Sequence, residues 1–279
     1  MKLVEYIPGD SAVLLSIPHS GTYVPPAIRE RFTEYALPLP DTDWHVEKLY
    51  DFAVKLKIHI LFATHSRYVV DLNRDPSGEA LYPGADNTTI CPTTTFDRNP
   101  IYQAGEEPGT QEVKERIATY WQPYHEALRE KLNAMKGRYE RCVLFDAHSI
   151  RSEVPRFFDG TLAGLNLGTA NGLTASADLI HRAMKALNNA EQTRSVLDGR
   201  FKGGYITRHY GQPEEGVHAL QLEMAQTLYM DEAPPYDYKL KKVKKIRPVL
   251  RDVLGQCVSW AQGPPTDSLP ILLGNRGSK

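Results

Sequence analysis

Six short apolar runs, at residues 12–17, 58–63, 68–72, 142–145, 161–167 and 217–222, alternate along this chain with segments of helical period. Runs of that length read as buried strands, and their alternation with helices is the pattern of a sheet covered by helices. The expected fold is α/β, with a mixed, largely parallel central sheet flanked by helices. At 279 residues and 41% hydrophobic content the chain can bury one large core. No linker-like stretch divides residues 1–262, so one domain is expected there, followed by a surface tail over 263–279 whose turn residues and weak pattern promise little packing.

The clearest helix spans 110–135, where Val113, Ile117, Trp121, Tyr124, Leu128, Leu132 and Met135 recur three or four residues apart and form one apolar stripe. Thr110 is its expected N-cap, and Pro123 should kink or split it, because proline supplies no N–H and crowds the preceding turn. A last helix is expected from near Pro248, turning Leu250, Val253, Leu254, Cys257 and Val258 inward. Residues 73–109 are rich in Pro, Gly, Asp and Thr and lack periodicity; a loop of that length in a compact domain suggests a wall over a functional site.

The formal net charge of −1 gives no extended positive field, which argues against nucleic acid or an anionic membrane as partner. Three separated cysteines, Cys91, Cys142 and Cys257, fit reduced thiols in a cytoplasmic protein better than a disulfide framework. Neither a signal-type leader nor an apolar stretch of bilayer-spanning length is evident.

Chemistry concentrates where strands end. The run at 12–17 leads directly into Pro18-His19-Ser20-Gly21, and the run at 142–145 into Asp146-Ala147-His148-Ser149. Open α/β sheets build their sites at this carboxyl edge, and two strand-end imidazoles can converge on a metal such as zinc. A lone histidine is more often a locally bonded turn residue, and that reading is retained for His45, His59, His65, His125, His181, His209 and His218. Asp146 lies two residues before His148, hence on the same side of an extended chain, and can orient the imidazole. A catalytic zinc needs a third ligand. The segment Leu39-Pro40-Asp41-Thr42-Asp43-Trp44-His45 offers two carboxylates ahead of a helix; Asp41 is expected as an N-cap and Asp43 as the ligand.

Two arginines bracket the run at 68–72. Arg74 reads as a bidentate clamp for a substrate carboxylate, and Arg67 either joins it or pairs structurally with Asp71. In Phe201-Lys202-Gly203-Gly204-Tyr205-Ile206-Thr207-Arg208, glycines that allow close backbone approach accompany Arg208, a second clamp candidate. Glu223 ends an otherwise apolar strand, where an ionised carboxylate needs a partner or a task. Beside a metal it would be a general base; otherwise it is a salt-bridged residue at the sheet rim. No G-x-S-x-G elbow supports a serine hydrolase, and no P-loop or dinucleotide fingerprint is present.

Taken in order, IPHSGTYVP, LPDTDWHVEKLYDF, SRYVVDLNRDP, FDAHSI, FKGGYITRHYG and HALQLEMAQTLYM closely resemble the N-formylglutamate amidohydrolase family over roughly residues 8–232. The resemblance implies hydrolysis of the small molecule N-formyl-L-glutamate in histidine degradation, and a fold similar to zinc carboxypeptidases and aminoacylases. Carried onto these motifs, it implies one divalent metal, zinc, on His19, Asp43 and His148, with Glu223 catalytic and Asn73-Arg74 gripping substrate. The H-x-x-E metal motif of the carboxypeptidases is missing after His19, so the acidic ligand must come from elsewhere, with Asp41 the rival of Asp43. A related hydrolase of another N-acyl amino acid, and a non-catalytic dicarboxylate-binding protein, are the alternatives; a homo-oligomer is compatible with either.

Overall fold

The computed structural model describes residues 2–81, 84, 86–191 and 193–263. The tail expected over 263–279 lies, beyond Gly263, outside the described residues. Seven strands form one sheet: β1 (Val4–Ile7), β2 (Val13–Ile17), β3 (His59–Ala63), β4 (Cys142–Ile150), β5 (Leu165–Gly168), β6 (Ser195–Leu197) and β7 (Val217–Ala225). Their order is β1-β3-β2-β4-β7-β5-β6. The pairs β3/β2, β2/β4, β4/β7 and β5/β6 are parallel, and β1/β3 and β7/β5 antiparallel. The sheet is thus mixed and largely parallel, as the alternation of runs implies. The central strands β2, β4 and β7 are buried along their whole length, which explains why they read as continuous apolar runs.

Helices α1 (Pro26–Arg29), α2 (Val46–Leu49), α3 (Thr110–Arg116), α4 (Gln122–Lys136), α5 (Ala177–Leu187), α6 (Tyr205–Tyr210) and α7 (Leu240–Gln262) complete the architecture. A π turn, Ile117–Trp121, joins α3 to α4. It ends two residues before Pro123, so the widened turn lies where the proline supplies no N–H and crowds the preceding turn. The expected disruption is therefore a widened turn within one continuous helical rod.

Four expectations need correction. Residues 68–72 are not a strand: Ser66 turns the chain by accepting the Val69 N–H at its carbonyl and the Tyr68 N–H at its Oγ, and β1 takes the outer edge of β3. Thr110 is not the N-cap; Gly109 fills that position without a side-chain bond. The last helix starts at Leu240 and carries Pro248 in its interior, because Val243, Ile246, Val249 and Leu250 continue one buried stripe through it. Packing of that stripe outweighs the roughly 3 kcal/mol cost of an internal proline. Asp41 caps no helix, as described below.

Candidate metal centre

His19 follows β2 by two residues. The chain can turn there because Gly21 passes so close to the end of β3 that a Cβ would lie 2.4 Å from the His65 carbonyl oxygen. The His19 carbonyl accepts the N–H of Asp43 at 3.1 Å, which ties the Asp43 loop to the end of β2. Asp43 Oδ2 accepts the Ser149 N–H at 3.1 Å, tying the same loop to β4. One bond through its backbone N–H and one through its carboxylate thereby hold Asp43 between the histidine-bearing strand ends.

The imidazoles present matching atoms. His148 Nδ1 lies 3.2 Å and His19 Nδ1 3.8 Å from Asp43 Oδ2, and the two rings are 4.9 Å apart. Each outer nitrogen is held by a carboxylate: His19 Nε2 by Asp71 Oδ1 at 2.7 Å, His148 Nε2 by Asp146 Oδ2 at 2.8 Å. A carboxylate at Nε2 fixes a proton there, so that a metal displacing any proton on Nδ1 would find that nitrogen's lone pair directed toward Asp43. One donor atom from each of His19, Asp43 and His148 lies within 4.8 Å of the others, and all three residues are buried.

These residues fit a divalent cation. Tetrahedral coordination at about 2.1 Å separates donors by roughly 3.4 Å, between the nitrogen–oxygen distances of 3.2 and 3.8 Å found here. Asp43 Oδ1 is buried without a hydrogen bond, with Arg67 Nη1 3.9 Å away, and a metal ion would supply the direct partner that it lacks. Burial resists charge on His148, but Asp146 and Asp43 outweigh it and raise the imidazole well above its ordinary pKa. A proton held there by two carboxylates is one that metal binding would release. Burial, reinforced by Arg67, lowers His19.

The cleft beside this group is lined by His19, Asp43, Arg67, Asn73, Arg74 and Glu223 among others, with Phe96, Phe157 and Phe201 also in its lining. Burial pushes the Glu223 carboxyl up to about 8, with His148 acting in the opposite sense. Arg67 pairs structurally with Asp71, its Nη2 donating to Asp71 Oδ2 at 2.6 Å, and its side chain is also part of the cleft lining. Burial resists the charge of Asp71, but Arg67, His19 and Arg74 outweigh it and hold that carboxyl well below its usual range. Asn73 is fixed through Oδ1, which accepts the Ile206 N–H at 2.8 Å.

Arg208 is not brought to this cleft. The six-residue helix α6 turns it to the exposed side, where Nε donates to the Gly203 carbonyl and the side chain borders a separate hollow with Asp75 and Glu79. Asp41 also stands apart from the three-residue group: its Oδ2 accepts Tyr68 O–H at 2.6 Å and Phe96 N–H at 2.9 Å, and burial pushes its carboxyl up to about 6. It anchors the long loop, from which Leu81 and Phe96 reach the cleft wall.

Sequence reasoning gave no place in the site to Asp71, His125 or Gln221. Asp71 was weighed only as a partner for Arg67, and its bond to His19 crosses from a turn to a different strand end. His125, neutral because burial lowers it to about 3, contacts the Leu72 carbonyl through Nε2 at 2.8 Å and stacks on Trp121, whose Nε1 donates to the Arg74 carbonyl. The helical rod thus props the segment that carries Asn73 and Arg74. The i, i+2 spacing of Gln221 and Glu223 was a usable signal, since it puts both on one face of β7.

Two carboxylate-backed imidazoles and a buried glutamate at the strand ends of a largely parallel sheet define a class, that of α/β proteins with a candidate metal centre. A model of the family described as N-formylglutamate amidohydrolase matches residues 11–230. The chain belongs to that family. It is 44% identical over 261 residues to N-formylglutamate deformylase of Pseudomonas aeruginosa, covering 94% of this chain and 98% of that protein. It is 40% identical over 259 residues to N-formylglutamate deformylase of Pseudomonas putida, covering 93% and 97%. The crystal structure of N-formylglutamate amidohydrolase from Ralstonia eutropha JMP134 has the same fold, with a TM-score of 0.76 at 24% identity over 94% of this chain and 97% of that one.

Proposed function

We propose that this chain hydrolyses N-formyl-L-glutamate to formate and L-glutamate, using one divalent cation, zinc, held by His19 Nδ1, Asp43 and His148 Nδ1. The observation that carries this reading is the convergence of two carboxylate-backed imidazoles on Asp43 beside the buried Glu223. A cation bound there supplies Lewis-acid polarisation of the formyl carbonyl and lowers the pKa of water toward neutrality.

Glu223 takes a proton from the attacking water onto a carboxylate oxygen as the oxygen bonds to the formyl carbon. It then delivers that proton to the amide nitrogen while the C–N bond breaks, releasing formate and the free amine. A carboxyl raised by burial suits a group that accepts and returns a proton near neutral pH. Arg67 and Arg74 hold the two substrate carboxylates, with Asn73 Nδ2 as a further donor, and so fix the amide against the metal group. Phe96, Phe157 and Phe201 add apolar surface to the same lining. Histidine breakdown in the cytoplasm is the setting this substrate suggests.

The test is formate release from N-formyl-L-glutamate by the purified chain, before chelation, after it, and after zinc is restored. Loss on chelation and recovery with zinc are expected. Undiminished release after complete metal removal would overturn the metal's part, and turnover of N-acetyl but not N-formyl substrates would reassign the enzyme to another acyl group.

A further inference from the structure

Strand β2 reads VLLSI and is buried throughout, with one hydroxyl among its apolar side chains. Ser16 has no exposed surface, and a buried hydroxyl is costly unless bonded. Its register explains the bond it makes: in the parallel β2/β4 ladder Ser16 is paired with Asp146. Ser16 Oγ donates to Asp146 Oδ1 at 2.8 Å, and the same Oγ lies 3.0 Å from the hydroxyl of Tyr124 on α4.

The direction of this chain of bonds follows from donor counting. An ionised carboxylate only accepts, so the single Ser16 proton is committed to Asp146. Tyr124 must then donate to Ser16. At the far oxygen, Asp146 Oδ2 faces His148 Nε2 at 2.8 Å. Every proton points toward Asp146, and α4, β2 and β4 together fix the rotation of one carboxyl group. Asn73 Nδ2, 3.0 Å from the same Nε2, cannot donate to a nitrogen whose proton is already directed at Asp146.

We infer that Ser16 is a positioning residue for the metal centre, acting on His148 through Asp146, with Tyr124 setting the direction of its hydroxyl. This rests on the reading of His148 as a metal ligand. A carboxylate pinned at Oδ1 cannot turn away, so the imidazole keeps its plane and its Nδ1 toward Asp43. A purely space-filling serine would affect the stability of the fold and leave metal affinity alone.

The experiment compares zinc affinity and zinc release rate of the full chain, measured by competition with a chromophoric chelator, beside the melting temperature of the metal-stripped protein. Ser16→Ala is expected to weaken zinc binding about tenfold, at the lower end of what partners behind a metal ligand contribute. Ser16→Thr, which keeps a hydroxyl on the strand, should recover most of that loss, and Tyr124→Phe should lose less than Ser16→Ala because Ser16 still donates. Wild-type affinity in Ser16→Ala overturns the inference, whatever happens to the melting temperature. A wild-type chain that takes up no divalent ion removes the metal reading itself, an outcome distinct from the first.

Discussion

His148 and Glu223 are paired Cα to Cα at the carboxyl end of the β4/β7 ladder, so their side chains leave the sheet on the same face. The same face carries Asp146 two residues earlier on β4 and Gln221 two residues earlier on β7, which are paired with each other. A candidate ligand and a candidate proton carrier are thus neighbours by strand register, without any loop having to bring them together.

Glu223→Gln preserves the shape of that neighbour and removes its capacity to carry a proton. Gln221 Nε2 lies 3.4 Å from Glu223 Oε2, so a glutamine can keep its place in the cleft. Steady-state kinetics should show kcat lower by roughly 10²–10⁴, the range of general acid–base contributions, with zinc content by metal analysis unchanged. Near-normal turnover would remove Glu223 from the chemistry.

Gly204 precedes α6, and a Cβ there would lie 2.3 Å from Asn73 Nδ2 and 2.6 Å from its Cγ. Gly204→Ala should displace the Asn73 side chain and break its bond to the Ile206 N–H. The expected result is a KM raised about tenfold, the equivalent of one hydrogen bond, with metal content intact. An unchanged KM would show that Asn73 does not meet substrate.

His218 gives the fold a pH dependence of its own. Burial, with Arg141 adding, lowers its imidazole to about 4, and its Nδ1 accepts the N–H of Ser176, the N-cap of α5. The folded pKa lies below the unfolded value of about 6.5, so the unfolded chain takes up the proton first. The contribution to stability is complete above pH 6.5 and is lost as pH falls through that value toward 4. His218→Asn keeps an acceptor for Ser176 and cannot titrate. Its melting temperature should be lower at pH 8, where the packing on Trp260 is missed, and should converge on the wild type by pH 4.5. Parallel melting curves across that range would refute the assignment.

Much of this molecule was legible in the linear pattern. Buried strands announce themselves as apolar runs, and alternation along an extended chain puts Asp146 beside His148 whatever the fold. The order of strands is another matter. That β2, β4 and β7 lie side by side, pairing Ser16 with Asp146 and His148 with Glu223, depends on registers that no local signal encodes. Residues 68–72 look like a strand because burial selects apolar side chains in a buried turn as it does in a strand; only the Ser66 bonds and the occupied edge of β3 distinguish them. Arg208 lies outside the lining of the cleft, and a helix of six residues carries too little periodicity for the sequence to reveal which way it faces. By itself the sequence determined which residues could do chemistry, since donor type and strand-end position are local properties. Which of them meet, and through which nitrogen, was decided by packing: the bonds from Asp71 and Asp146 that turn both imidazoles toward Asp43 span 52 residues in one case and two in the other, and only the folded sheet makes them equivalent.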